Sequence, residues 1–384
     1  MRFIDMFCGI GGFRLGLERA NQSYRQSREW TRGTEYSRPI GDSTSSKGDA
    51  RQGNENCFRA VWANDNDRYA CQIYRKHFGE VYEGDIRAVD ASAIPEHDLL
   101  CAGFPCQSFS IAGKRRGFED TRGTLFFEIC RILRVKRPGY LFLENVKGLF
   151  SHDDGKTFQT ILESLDELGY DLQWDCLNSK NFGVPQNRER VFIVGHFRGI
   201  ARPKVFPIGE ANQDDDKTEL KYVGAIMSEQ NERWLEDGKE SSRNFPQGQR
   251  VYSVDGIASS ICGDAGGLGG KTGLYIYDIY NQQFRANQEL AGALKGEGIA
   301  DTSLGTALLK NQRIRRLTPI ECERLQGFPD NWTKEGIDND GNEVNISDTQ
   351  RYKCLGNAVT VNVIEAIGRQ LIKELEENEA LLSG

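Results

Sequence analysis

The feature that most limits the fold of this chain is an alternation in its first 200 residues. Short apolar runs, rich in β-branched and aromatic residues, alternate with segments whose apolar residues lie three or four apart. The runs predict strands and the segments predict helices packed on them, an arrangement typical of a parallel sheet covered by helices. We predict strands at 2–7, 58–64, 99–103, 140–144, 171–177 and 191–194, and helices at 12–19, 68–77, 125–134 and 158–168. The sequence therefore predicts an α/β fold with a doubly wound, mostly parallel sheet.

Two stretches interrupt this alternation. Residues 21–56 are polar and far longer than a usual helix-to-strand loop, which indicates a surface insertion. Residues 201–310 are irregular and glycine-rich, so we expect a second, smaller, loop-rich domain there. Helical periodicity returns towards the end, where 361–376 predicts an amphipathic helix packed on the first domain. The predicted division is 1–200 with 311–384 as one domain and 201–310 as the other.

The balance of charge argues mildly against a nucleic acid partner, because the net charge is −7. The distribution argues the other way. Between Phe104 and Phe150 there are nine basic residues against four acidic ones. A basic face is therefore available on an acidic protein.

Several protein classes can be set aside from composition. No apolar run approaches the roughly 20 residues that span a bilayer. The ten cysteines form no C-x-x-C pair, which favours free thiols in a reducing compartment. The four histidines are far apart without ligand spacing, so we predict no metal. We expect a cytoplasmic monomer that does not bind a membrane.

A glycine-rich segment, 5–12, follows the first predicted strand and opens the first helix. Glycines at this point let a ligand approach the backbone and the helix N-terminus. Asp65 and Asp85 end the next strands and could bind ribose hydroxyls and an adenine amino group. The set describes a nucleoside pocket. The alternative is the dinucleotide site of a nicotinamide dehydrogenase, although the third glycine spacing of that fingerprint is missing.

Three polar features lie near strand ends. Cys106 follows the strand 99–103, and the basic residues 114–116 beside it would favour its thiolate and nucleophilic attack. Glu144 ends the next strand at the same edge, although it could instead cap a helix. Arg188 and Arg190 lie two apart before the strand 191–194, a pattern that also occurs on solvated edges. These side chains are the candidate catalytic residues.

In this order the motifs resemble the series of the C5-cytosine DNA methyltransferase family, of the bacterial restriction-modification type. Each motif is weak alone, but the ordered set is highly specific and covers nearly the whole chain. The motifs are D-M-F-C-G-I-G-G-F at 5–13, G-F-P-C-Q-S-F-S at 103–110, R-G-T-L-F-F-E-I at 122–129, E-N-V at 144–146, Q-N-R-E-R-V-F at 186–192, R-R-L-T-P-I-E-C-E-R-L-Q-G-F-P-D at 315–330 and L-G-N-A-V at 355–359.

The resemblance implies S-adenosylmethionine as cofactor. The binding residues it implies are Phe7, Gly9, Gly11, Gly12, Asp65, Asn66, Asp85, Ile86, Leu125, Asn357 and Val359. Asp65 stands where the family usually has glutamate, and Asn66 where an aromatic residue is common. These two departures bear on cofactor affinity.

The resemblance also implies a mechanism on double-stranded DNA, in which the target cytosine is flipped out of the stack. Cys106 would add to C6 while Glu144 binds N3 and the exocyclic amine, and Arg188 and Arg190 would hold the ring and its phosphate. Residues 108–123 resemble the family's mobile loop, and 201–310 its target-recognition domain. The DNA contacts implied are Ser108, Lys114, Arg115 and Ser260.

Two other functions stay open. One branch of the family methylates transfer RNA, but Phe-Pro-Cys-Gln at 104–107 and the long variable segment favour DNA. A catalytically inactive DNA-binding regulator could use the same fold, although Cys106, Glu144 and Arg190 are all present. Similarly, 21–56 could be a DNA-contacting arm instead of a plain insertion.

Overall fold

The computed structural model describes residues 1–35, 57–105, 125–199, 204–208, 222–227, 250–252, 274–278, 294–295, 312–315 and 317–383. Its main element is a seven-stranded sheet. The strands are β1 (Arg2–Met6), β2 (Arg59–Asp65), β3 (Tyr82–Glu83), β4 (Leu99–Gly103), β5 (Tyr140–Val146), β6 (Tyr170–Asn178) and β7 (Glu189–Phe197). Their spatial order is β3-β2-β1-β4-β5-β7-β6.

Neighbouring strands are parallel from β3 to β5, and β7 runs antiparallel to both β5 and β6. The helices are α1 (Gly12–Glu35), α2 (Arg68–Phe78), α3 (Leu125–Lys136), α4 (Lys156–Glu167), α5 (Pro319–Leu325), α6 (Asp348–Asn357) and α7 (Val361–Ser383). Apolar residues of α1 and α7 share one core cluster with the sheet, and those of α3 and α4 share another. The prediction of a mostly parallel, helix-covered sheet is confirmed.

Helix starts follow local chemistry. Asp67 precedes α2 and its carboxylate accepts from the backbone N–H groups of Tyr69, at 2.9 Å, and Ala70, at 3.1 Å. Thr318 and Glu321 form a capping box at the start of α5, with Pro319 at its first position. These caps satisfy N–H groups that a helix leaves without internal partners.

The expectation of an insertion beginning at residue 21 is wrong for its first part, because α1 continues to Glu35. Asn21 is buried and both donates to the Phe58 carbonyl, at 2.8 Å, and accepts from the Phe58 N–H, at 2.9 Å. Ser23 donates to Glu365 of α7 at 3.2 Å. Partners on distant segments therefore support the part of α1 that follows residue 20, which has no apolar period of its own. Residues 36–56 lie outside the described part of the chain.

A second, five-stranded sheet lies in the later part of the chain. It comprises β8 (Tyr222–Met227), β9 (Arg250–Tyr252), β10 (Leu274–Asp278), β11 (Leu294–Lys295) and β12 (Gln312–Arg315). Two details bear on the predicted boundaries at 200 and 310. Val205 is fully buried in the core cluster of α1 and α7, and β12 lies beyond 310. The division into two domains stays a prediction.

The C-terminal segment, in which helical periodicity returns, also contains a hairpin of β13 (Glu335–Ile337) and β14 (Glu343–Asn345). Glu323 of α5 is fully buried and accepts from the N–H groups of Asn331, at 2.7 Å, and Thr333, at 2.8 Å, which precede the hairpin. Arg351 of α6 lies 3.1 Å from the same carboxylate. This buried ion pair joins α5 to α6, and α6 ends at Asn357.

Candidate active site

Strands β1, β2, β4 and β5 end at one edge of the main sheet, here called the carboxyl edge. Gly103 pairs with Glu144 across β4 and β5, and a Cβ atom built on Gly103 would lie 3.3 Å from Glu144 Oε2. Glycine therefore lets the glutamate side chain lie across the end of β4. That strand leads through Phe104 and Pro105 to Cys106, which lies outside the described residues, as do Ser108, Lys114, Arg115 and Ser260.

Asn145 is a residue that the sequence reasoning missed. Its side chain is 2% exposed, and its Nδ2 donates to the Phe104 carbonyl at 2.9 Å. This bond ties the end of β5 to the backbone two residues before Cys106. The signal available in the sequence was an amide directly after the strand-end glutamate.

Glu144 and Arg190 form an ion pair at the carboxyl edge. Arg190 Nε lies 3.1 Å from Glu144 Oε1, with side-chain exposures of 17% and 11%. Burial raises the pKa of the Glu144 carboxyl, and the positive charges of Arg190 and then Arg188 oppose that rise. The result is a carboxyl group that can hold a proton and still has a cation beside it.

The structure places Arg188 differently from our expectation that it holds the flipped ring and phosphate. Its side chain is 2% exposed. Its Nη2 donates to the backbone carbonyls of Gly356, at 2.9 Å, and Ala358, at 2.8 Å. A guanidinium buried at the end of α6 has no exposed surface for a phosphate. Of the two arginines, Arg190 is therefore the one available to a base.

The glycine-rich segment bends sharply after β1. Phe7, Gly9 and Gly11 have φ angles of 55°, 53° and 85°. A Cβ built on Gly11 would lie 2.2 Å from Phe78 Cε2, whereas one on Gly9 would have nothing within 4 Å. The loop is thus packed against α2 at one glycine and faces open space at another, which is the room a bound ligand needs.

Asp65 ends β2 and holds this loop. One carboxylate oxygen accepts from the Gly9 N–H and the other from the Asp67 N–H, both at 2.8 Å. Burial raises the pKa of Asp65, while these two bonds lower it. A carboxylate offers about four acceptor positions, so lone pairs remain for ribose hydroxyls. The neighbouring Asn66 is exposed.

The remaining expected cofactor residues lie around the same edge. Asp85 caps the turn that starts at Ile86, and its carboxylate pairs with the Arg87 guanidinium. Adenine would have to compete with Arg87 for it. Ile86 is 2% exposed and belongs to the core cluster formed with α3 and α4, and Leu125 packs against that cluster.

The loop after α6 completes the edge. Asn357 is exposed, whereas Val359 is buried. A Cβ built on Gly12 would lie 2.9 Å from Val359 Cγ2. Val359, in the last motif of the series, therefore packs against Gly12 in the first.

Gln326, in the L-Q-G-F-P-D motif, is a second residue missed by sequence reasoning. It is fully buried, its Nε2 donates to the Leu355 carbonyl at 2.8 Å, and its Oε1 accepts from the Thr360 hydroxyl at 2.8 Å. The available signal was an amide between apolar residues at a helix end.

Two further findings concern the described part of the chain. None of its helices is both long and apolar enough to cross a membrane. Within the same residues, no group of three or more His, Cys, Asp or Glu side chains has the arrangement to hold a metal ion.

Known proteins similar to this chain cover almost all of it. The family model for C-5 cytosine-specific DNA methylase matches residues 1–373. The Type II methyltransferase M.HhaI of Haemophilus parahaemolyticus is 33% identical over 384 residues, covering 96% of this chain and 93% of that protein. The Type II methyltransferase M.NgoBI of Neisseria gonorrhoeae is 37% identical over 363 residues, covering 94% and 90%.

Solved structures agree on the fold. The Entamoeba histolytica methyltransferase EhMeth superposes with a TM-score of 0.58 at 18% identity, covering 98% of both chains. The S. pombe Dnmt2 methyltransferase gives 0.56 at 18% identity, covering 98% of this chain and 99% of that one. Identity this low carries the fold alone, and membership follows from the family match and the closer relatives. The chain belongs to the C-5 cytosine-specific DNA methylase family and is a DNA cytosine-5 methyltransferase.

Proposed function

We propose that this enzyme methylates C5 of a flipped-out cytosine in a specific double-stranded DNA sequence, with S-adenosylmethionine as cofactor and Cys106 as covalent nucleophile. The observation that carries the proposal is the buried Glu144–Arg190 pair, 3.1 Å apart, at the same sheet edge as the glycine-rich segment. The glycine-rich segment suits a nucleoside, and the Glu144–Arg190 pair suits a heterocycle with ring nitrogens. The relatives' names support a Type II modification enzyme.

The cofactor fits the residues present. Open space in front of Gly9 admits a ligand against the loop backbone, and the Asp65 carboxylate keeps acceptor capacity beside it. We assign the pocket to Phe7, Gly9, Gly11, Gly12, Asp65, Asn66, Asp85, Ile86, Leu125, Asn357 and Val359. When bound there, S-adenosylmethionine supplies an electrophilic methyl group on a sulfonium sulfur.

The protein's own residues then act on the base. The Cys106 thiolate forms a bond to C6, which moves the electrons of the C5–C6 double bond to C5 and makes that carbon nucleophilic. A proton held by Glu144 at N3 stabilises the electron-rich ring, which a carboxyl with a raised pKa can supply. After C5 carries the methyl group, a base removes the C5 proton. The carbon–sulfur bond then breaks, and the thiolate leaves as the aromatic ring is restored.

Arg190 orients Glu144 and is positioned to contact the flipped base. Beyond it, Lys147 and Glu189 form an exposed ion pair at 2.7 Å, which marks the rim of the site. We assign DNA contacts to Ser108, Lys114, Arg115 and Ser260, and the choice of DNA sequence to 201–310. The first three belong to the locally basic segment described above, which suits contact with phosphates.

The test is incubation of the full-length enzyme with methyl-labelled S-adenosylmethionine and equal amounts of duplex DNA, single-stranded DNA or transfer RNA. We expect label in the duplex, at 5-methylcytosine within one sequence motif. Preferential labelling of transfer RNA would establish the RNA alternative. Binding to DNA without transfer of label to any substrate would establish the inactive regulator.

A further inference from the structure

Among the described residues, Arg188 has the largest fully buried side chain, and its guanidinium binds two backbone carbonyls at the end of α6. We propose that Arg188 is a positioning residue: it fixes the cofactor loop, residues 356–360, relative to the strand that carries the base-binding Arg190. The proposal rests on the function assigned above, and it gives Arg188 a role other than holding the base.

The contact with the cofactor loop is charged and short. Arg188 Nη2 donates to Gly356 O at 2.9 Å and to Ala358 O at 2.8 Å. These carbonyls lie at the C-terminal end of α6, where helices leave acceptors unpaired and where a positive charge is favoured. The two bonded carbonyls bracket Asn357, and the next residue, Val359, packs against Gly12 of the glycine-rich segment.

The contact with the strand is made by the Arg188 backbone. Its N–H donates to Asn178 Oδ1 at 3.1 Å, and its carbonyl accepts from the Ser179 N–H at 2.9 Å. Arg190 follows two positions later, in β7. One residue therefore has its backbone held next to β6 and β7 and its side chain held in the cofactor loop.

Arg188 also acts on Glu144. Among the described residues, the charges that face the Glu144 carboxyl are Arg190 on the neighbouring strand and Arg188, and both favour its ionised form. Removing either cation therefore raises the pKa of Glu144. A side chain that only filled space would have no such effect.

Gln326 supplies a matched control. It binds both ends of the same loop, through the carbonyl of Leu355, the residue just before the loop, at 2.8 Å, and the hydroxyl of Thr360, at 2.8 Å. It is equally buried, but it carries no charge and does not contribute to the pKa of Glu144. Loss of Gln326 should loosen the loop without altering the titration of the site.

The experiment compares Arg188→Met, Arg188→Lys and Gln326→Leu in the full-length enzyme, after circular dichroism and a melting curve show each to be folded. The first readout is the Kd of S-adenosylmethionine measured by calorimetry without DNA. We expect an increase of at least tenfold for Arg188→Met, and a smaller one for Arg188→Lys, which can reach only part of the carbonyl pair. If Arg188→Met does not fold, the Kd of S-adenosylmethionine for Arg188→Lys tests the proposal instead.

The second readout is the pH dependence of kcat. We expect the alkaline limb of the kcat profile to move to higher pH in Arg188→Met, which loses the positive charge at position 188. The limb should stay in place in Gln326→Leu and in Arg188→Lys, because both variants keep that charge. An unchanged Kd in folded Arg188→Met or Arg188→Lys would overturn the proposal, as would identical effects of Arg188→Met and Gln326→Leu on both readouts. Because the Kd is measured without DNA, this result is independent of whether Glu144 binds the base.

Discussion

Arg190 Nε lies 3.1 Å from Glu144 Oε1, in a pair that joins β7 to β5 at the carboxyl edge. Both side chains are largely buried, so neither charge is well solvated. In such a pair, removing one partner leaves the other as an uncompensated buried charge. The chemistry of the site therefore depends on the protonation of Glu144.

We predict that Glu144→Gln lowers kcat by about 10²–10⁴-fold, because a neutral amide cannot supply the proton at N3. The raised pKa of Glu144 keeps it protonated to higher pH than an ordinary carboxyl, so wild-type kcat should fall as pH rises through that value. Steady-state assays across pH measure both the loss of kcat in Glu144→Gln and the decline of wild-type kcat with rising pH. Glu189→Gln, at the exposed rim, is the control and should retain activity. A near-normal rate for Glu144→Gln would reassign Glu144 to a structural role.

We predict that Cys106→Ala abolishes methyl transfer but leaves folding and DNA binding largely intact, because only the covalent step needs the thiol. A duplex with 5-fluorocytosine at the target should trap the wild-type enzyme covalently, since fluorine cannot leave as the C5 proton does. Mass spectrometry of the trapped peptide identifies the attached residue. Turnover by Cys106→Ala, or attachment elsewhere, would contradict the mechanism.

We predict that Asp65→Ala raises the KM for S-adenosylmethionine much more than it changes kcat. The variant loses the acceptor for the Gly9 N–H, at 2.8 Å, together with the acceptor proposed for the ribose. Asp65→Asn keeps one carbonyl oxygen and should have a smaller effect. Steady-state kinetics with varied cofactor separate KM from kcat. Equal KM values for wild type and Asp65→Ala would remove Asp65 from the pocket.

We predict that thermal stability falls as pH drops below about 6.5, in part because of His97. This side chain is 5% exposed and its Nδ1 lies 2.8 Å from the Pro95 carbonyl. Burial lowers its pKa from 6.5, so the unfolded chain binds the proton first and stability is lost as pH falls through the unfolded value. Melting curves from pH 7.5 to 5 should show a shallower decline for His97→Gln. Parallel declines would exclude His97.

We predict that residues 201–310 choose the DNA sequence. Because Val205 belongs to the first core and β12 extends to Arg315, the exchange with a relative of different specificity should replace 209–315. Bisulfite sequencing should show that an active chimera methylates the donor's motif. Methylation of the original motif would place specificity elsewhere. A conservative exchange of 36–56 alone serves as the control and should not change the motif.

The sequence alone determined the class of fold and the positions of most elements. Strand β4 occupies the predicted 99–103, and α2 and α3 begin at the predicted residues, because apolar period and caps act over a few neighbouring positions. The ordered motifs likewise determined the family. What local pattern could not show is that the polar helix α1 continues past residue 20, since its support comes from Phe58 and α7.

Tertiary structure alone decided between the two arginines. Arg188 and Arg190 lie two positions apart in the same motif, and nothing in the local sequence distinguishes them. Arg190 meets Glu144, whereas Arg188 meets carbonyls 168 and 170 positions away at the end of α6. Local sequence sets which residues share a face through short-range sterics. The partner of a buried charge depends on which distant segment packs there, and only the assembled fold specifies that.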